Sequence, residues 1–187
     1  MLTLVSPPAV LPVTLDEAKA HLRVDFAEDD AAIEAYLRAA AERYDGRDGL
    51  LGRCLISQTW ELVLDRFPVA EIEIPLGPVS SVVSITYVRT DGTDTVISPE
   101  TYVVDQGGTP AWIVPFVRGS WPATMATINA VTVRFVAGFG DGPADVPATI
   151  RQAILTRVCQ LYDNRDSIAD LPDGVDGYVR DYRTFVF

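Results

Sequence analysis

The spacing of apolar residues changes twice along this chain: helical through residues 14–44, alternating through 55–137, and helical again through 146–162. Thr14-Leu15-Asp16-Glu17 has the form of a capping box, in which a threonine side chain and a glutamate three residues on each satisfy an otherwise unpaired amide. It predicts a short helix ending near His21 or Leu22. Acidic Glu28-Asp29-Asp30 opens a second, longer helix, because negative charge favours the positive end of the helix dipole. Ile33, Leu37, Ala40, Ala41 and Tyr44 form its apolar face, and Gly46, Gly49 and Gly52 end it.

From Leu55 the period is two. Ile56, Trp60, Leu62 and Leu64 share one face, with Gln58 the polar exception, and Ser57, Thr59, Glu61 and Val63 take the other. Arg66-Phe67-Pro68 stops this strand. Further short strands are predicted at residues 71–74, 82–89, 93–97, 102–104, 112–114 and 130–137, with Asp91-Gly92 as a hairpin turn. Gly138-Phe139-Gly140-Asp141-Gly142 leads out of the last strand. Val146-Pro147 then enters a third helix, whose broad apolar face is Ile150, Ile154, Leu155, Val158, Leu161 and Tyr162.

Strands that follow one another through short loops, with no helix between them, make a mostly antiparallel sheet, so the fold class is α+β. The N- and C-terminal helices are too short and amphipathic to stand alone and are expected to pack together, with the β region inserted between them. The expected divisions are an extended N-terminal arm (1–13), N-terminal helices (14–52), the β region (53–140), a C-terminal helix packing on the N-terminal ones (141–165) and a C-terminal tail (166–187).

Composition sharpens this outline. Of 187 residues, 48 % are hydrophobic and 22 % charged, an ordinary globular balance with enough chain for a sizeable core. No apolar run approaches the length of a membrane span. The stretch MLTLVSPPAVLPV has no basic residue before Lys19 and carries paired prolines, unlike a secretory signal. The net charge is −11, from 26 acids against 15 bases, the opposite of what a phosphate-gripping surface needs. An acidic surface suits a conduit that DNA passes without sticking. Cys54 and Cys159 lack metal-site spacing and read as reduced, mostly buried thiols.

Candidate chemistry thins out on inspection. His21 is the only histidine, and it sits beside Lys19 and Arg23 at a helix end, where a cation is stabilising. The acids Asp16, Glu17, Glu28 to Asp30, Asp141, Asp145, Asp163, Asp170, Asp173 and Asp176 fall mostly at helix starts and turns, where they cap. Asp170-x-x-Asp173-x-x-Asp176 lacks the spacing and closing glutamate of a calcium loop. Gly138-x-Gly140-x-Gly142 is not a phosphate-cradling motif, having neither the full glycine pattern nor a βαβ setting. No catalytic residue, cofactor or metal ligand is assigned, and the chain is read as a non-enzyme. Trp112 and Trp121 leave one other reading open, a carbohydrate-binding or host-recognition module on an exposed β face. A hydrolase would need two of the acids to face one pocket.

Three stretches carry a family resemblance. The first is Thr14-Leu15-Asp16-Glu17-Ala18-Lys19-Ala20-His21-Leu22-Arg23-Val24-Asp25 with the acids at 28–30 and Ile33. The second is Leu55-Ile56-Ser57-Gln58-Thr59-Trp60 running on to Leu64-Asp65-Arg66-Phe67-Pro68. The third is residues 131–140, then Val146-Pro147, residues 150–155 and Tyr162-Asp163-Asn164-Arg165. In this order they resemble the phage head–tail connector (adaptor) family, in its strand-containing branch found in prophages and gene transfer agents. The resemblance covers about residues 12–165. It implies a structural subunit, made in the bacterial host cytoplasm and located in the virion or phage-like particle. About twelve copies would form a ring between the portal protein and the stopper or tail-side connector, with DNA passing through without sequence-specific binding. It implies no catalytic residue, no cofactor and no membrane.

Beyond the resemblance lies the C-terminal tail. Tyr178, Tyr182, Phe185 and Phe187 alternate with polar residues and are costly to leave in water. The alternation predicts an extended segment that adds to a partner's sheet or groove, which makes these four residues the candidate partner interface.

Overall fold

The computed structural model describes residues 1–116, 119–164 and 173–184. They form two units, one of Met1–Pro7 with Ser57–Gly138 and one of Pro8–Ile56 with Phe139–Phe187. The first is the β unit and the second the helical unit.

In the helical unit, α1 (Leu15–Leu22) starts on the expected capping box. Thr14 N donates to Glu17 Oε2 (2.9 Å) and Glu17 N donates to Thr14 Oγ1 (3.2 Å). Arg23 ends the helix in the left-handed region, at φ 59°. The longer α2 (Asp30–Tyr44) and α3 (Ala148–Asp163) follow. Helical spacing puts Ile33, Leu37, Ala40 and Tyr44 on one face of α2, and Ile150, Ala153, Ile154 and Val158 on one face of α3, all in one buried cluster. The N- and C-terminal helices thus pack together as their amphipathicity requires. Polar pairs outside the cluster tie the same elements: Lys19 to Asp30 (2.5 Å), the Tyr162 hydroxyl donating to Asp29 Oδ2 (2.5 Å), and Arg151 to Glu17.

The β unit holds β1 (Leu2–Ser6), β2 (Gln58–Leu64), β3 (Ile72–Ile74), β4 (Val79–Val88), β5 (Asp94–Val96), β6 (Tyr102–Asp105), β7 (Ala111–Pro115) and β8 (Val131–Ala137). A five-stranded sheet has the order β1-β2-β8-β4-β5, and a three-stranded sheet the order β3-β7-β6. Every strand pairing is antiparallel. In the larger sheet the register aligns Leu4, Trp60, Phe135 and Val82 across four strands, and Leu2, Leu62, Val133 and Ile85 beside them. This row structure explains the period-two pattern: the inward residues of β2 and β8 are buried, and the opposite face carries the cross-strand ion pair Glu61–Arg134 (2.6 Å). Gln58, the exception on the apolar face, is buried and accepts from Trp60 Nε1 at 3.1 Å.

Two expectations change here. Within the expected arm, Leu2–Ser6 is an edge strand paired to β2, and Met1 exchanges backbone hydrogen bonds with Val63. The β region is also two sheets rather than one, because among the described residues β3, β6 and β7 pair only with one another. The glycine-rich exit behaves as its sequence implies. A Cβ on Gly140 would overlap the Asp145 side chain, whose Oδ2 accepts from Gly142 N at 2.9 Å, so these residues build the turn into α3.

Candidate interaction site

The chain's last described segment, Asp173–Tyr182, is a 3-10 helix. A 3-10 helix repeats every three residues, so Asp176, Val179 and Tyr182 share one face. That face is the one turned into the helical unit. Val179 is fully buried in the cluster formed by α2 and α3, and Tyr182 packs against it. Asp176 closes the contact: its carboxylate accepts from Arg43 Nη2 (2.5 Å) and from the Tyr44 hydroxyl (3.0 Å) at the C-terminal end of α2. Burial, and then the negative charge of Asp176, push the Tyr44 hydroxyl well above its ordinary pKa and keep it a neutral donor. Thr184 N donates to Leu51 O (2.8 Å) and fixes the segment's end on the loop after α2.

The extended conformation expected for this tail is therefore corrected. The aromatics interleaved with polar residues over 178–187 suggested an extended segment, but the buried face follows period three. Of the four candidate interface residues, Tyr178 stays 72 % exposed while Tyr182 is half-buried, so the segment splits into an anchor and a presented aromatic. Phe185 and Phe187 lie outside the described residues. Val179 and Asp176 are the residues that the alternation concealed; counting in threes from Asp176 would have found them.

The other candidates have structural employment. His21 is exposed on α1. Glu17 belongs to the capping box and pairs with Arg151, and the backbone amide of Thr14 is the main cause of its lowered pKa. Cys54 is buried, while Cys159 is half-buried with its thiol pushed up, chiefly by burial. In the β unit, a cleft of about 510 Å³ runs beside β5, lined by Tyr87, Val96, Ser98, Thr101 and Trp121 among others. One face of Trp121 is covered by Phe67, stacked at 5.0 Å, and its indole N–H donates to Ala70 O at 2.7 Å. Among the described residues no His, Cys, Asp and Glu cluster could hold a metal ion, and no helix is long and apolar enough to cross a membrane.

Comparison with known proteins adds what the chain is similar to. Residues 12–91 match the phage gp6-like head–tail connector protein family. That span takes in the capping box, α1, α2 and β2 to β4. A chain in the neck of an empty GTA particle, determined with C6 symmetry, matches with a TM-score of 0.79 and 26 % identity, over 100 % of this chain and 97 % of that one. A chain in the virion of a native gene transfer agent particle matches with a TM-score of 0.77, 26 % identity and the same coverage. A chain in the neck of a native GTA particle, determined with C12 symmetry, matches with a TM-score of 0.75 and 27 % identity, again over 100 % and 97 %. No curated protein matches the sequence. The resemblance read from the motifs thus holds: the chain is similar to the gp6-like head–tail connector family through residues 12–91, and along its whole length to chains in the necks of gene transfer agent particles.

Proposed function

We propose that this chain is a structural subunit of the head–tail junction in a tailed phage or gene transfer agent particle. In this reading it forms a closed ring, of about twelve copies, between the portal protein and the stopper or tail-side connector, and DNA passes through the channel. The observation that carries it is the full-length likeness to chains in neck structures with C6 and C12 symmetry. A cyclic ring joins unlike surfaces of neighbouring copies, so a chain with a helical unit and a separate β unit has distinct elements to offer. The charge supports passage without adhesion. The net charge is −11, and Lys19, Arg38, Arg43, Arg134 and Arg151 are each held by a carboxylate of the same unit. The work is assembly rather than a reaction, which fits Glu17, Asp30, Asp145 and Asp176 engaged in caps, ion pairs and turns.

Within this reading the C-terminal segment is the partner contact. Asp176, Val179 and Tyr182 seat it on the helical unit, and Tyr178 is presented outward for the portal or a neighbouring copy. Removing the chain from particle-producing cells tests the function. The expected product is DNA-filled heads without tails, restored by the wild-type chain and restored poorly by Tyr178→Ala. Normal tailed particles in the deletion strain would refute the assembly role, and full rescue by Tyr178→Ala would refute the assignment of Tyr178.

A further inference from the structure

The three-stranded sheet of the β unit has one buried and one open face. Ile72, Ile74, Ala111, Ile113 and Tyr102 point inward. The alternate positions point outward, and strand register fixes what they form. Glu73 lies opposite Trp112 on one side, and Asp105 lies opposite it on the other. The indole is therefore the centre of a row with one carboxylate on each side, at the strand spacing of about 5 Å. Two residues along the same face, Val103 pairs with Val114, and these are 52 % and 42 % exposed. Phe116, 56 % exposed, extends the apolar strip. Among the described residues neither Glu73 nor Asp105 is within ion-pair distance of a cation.

A half-buried indole between two exposed carboxylates that face no cation, Asp105 accepting among the described residues only from Gly107 N at 3.0 Å, suits a flat cation. A guanidinium stacks on an indole and donates hydrogen bonds in its own plane, so its edges can reach both acids at once. An ammonium offers a point charge and uses the ring face less fully. A sugar could also stack on Trp112 and donate to the two carboxylates, but it carries no charge to balance them and no apolar group for Val103, Val114 and Phe116. Apolar side chains flanking the cation fit that strip, and alternating side chains on a flat sheet fit an extended segment. We propose that the outer face of this sheet is a docking site for an arginine-bearing extended segment of a partner protein, with the guanidinium on Trp112 between Glu73 and Asp105 and an apolar side chain two residues from the arginine on Val103 and Val114.

The site can be tested on the isolated full chain, independently of where the chain sits in a particle. The probe is the tripeptide acetyl-Val-Ser-Arg-amide, whose valine and arginine share one face when extended, titrated into 15N-labelled protein. The chain has three tryptophans, and the Trp112 indole signal is assigned by its loss in Trp112→Phe. The expected result is a saturable shift of that signal, weakened by added salt. Replacing arginine by isosteric, neutral citrulline is expected to weaken binding about fivefold, as is the double variant Glu73→Gln with Asp105→Asn. These exposed, shape-preserving changes keep the fold, which the unshifted remainder of the spectrum reports. No shift with the arginine peptide, or an equal response to citrulline, would overturn the proposal. So would a shift produced by cellobiose and not by the peptide, which would reassign the face to sugars.

Discussion

Replacing Val179 by alanine tests whether the C-terminal 3-10 segment belongs to the helical unit's core. The side chain is fully buried against α2 and α3. The substitution deletes two methyl groups, each worth about 0.8 kcal/mol in transfer from water. The space left refills only partly, which adds roughly 0.5–1 kcal/mol. The expected loss is therefore about 2–2.5 kcal/mol, equivalent to a fall in melting temperature on the order of 10 °C for a unit of this size. All three α-helices lie in that unit, so ellipticity at 222 nm during urea unfolding reads it directly, whereas the tryptophans at 60, 112 and 121 all lie in the β unit. Tyr178→Ala, one residue away in sequence, removes an exposed ring and is expected to change stability by less than about 0.5 kcal/mol. A Val179→Ala loss as small as that of Tyr178→Ala would refute the period-three packing, and with it the anchor-and-presented-aromatic division of the tail.

Three further outcomes follow from local geometry. Glu17 titrates below its ordinary 4.5, chiefly because it accepts from the Thr14 amide, so its contribution is present above that value and is lost as pH falls through the lower, folded one; the stability gap between wild type and Glu17→Gln should narrow as pH is lowered below 4.5 in urea titrations, and a constant gap would contradict the assignment. Arg23 holds a left-handed φ of 59° that glycine adopts freely, so Arg23→Gly should raise stability of the helical unit by about 0.5–1 kcal/mol, measured by the same 222 nm transition. Gln58→Ala leaves the buried Trp60 indole N–H without its acceptor, and should cost about 1–3 kcal/mol with a shift in tryptophan emission.

Most of the fold was legible because its signals are local. The capping box at Thr14 places the start of α1, helical spacing from Ile33 to Tyr44 gives the buried face of α2, and alternation from Trp60 to Leu64 gives the inward row of β2. Asp91-Gly92 places the hairpin, and Asp91 Oδ1 accepts from Thr93 N at 3.0 Å as such a turn requires. What failed were features set by distant partners. Nothing in Leu2-Thr3-Leu4-Val5-Ser6 says that it pairs with residues 59–62 rather than running free. Nothing in the short strands at 72–74, 102–105 and 111–115 says that they form a sheet of their own. At the tail, aromatics interleaved with polar residues fit a strand as well as a 3-10 turn, and the deciding contacts, from Asp176 to Arg43 and Tyr44, span more than 130 positions. The site at Trp112 was visible only as one aromatic on a β face, because Glu73 and Asp105 reach it through register.

A reconstruction of the neck of particles that carry this chain is the most direct measurement of its role. With the chain tagged at an exposed position of the β unit, the account predicts a closed ring of tagged subunits between the portal-bearing head and the tail, with DNA density on the axis. A neck whose ring is complete without the tag, or tagged density found only on the tail tip or capsid surface, would contradict it.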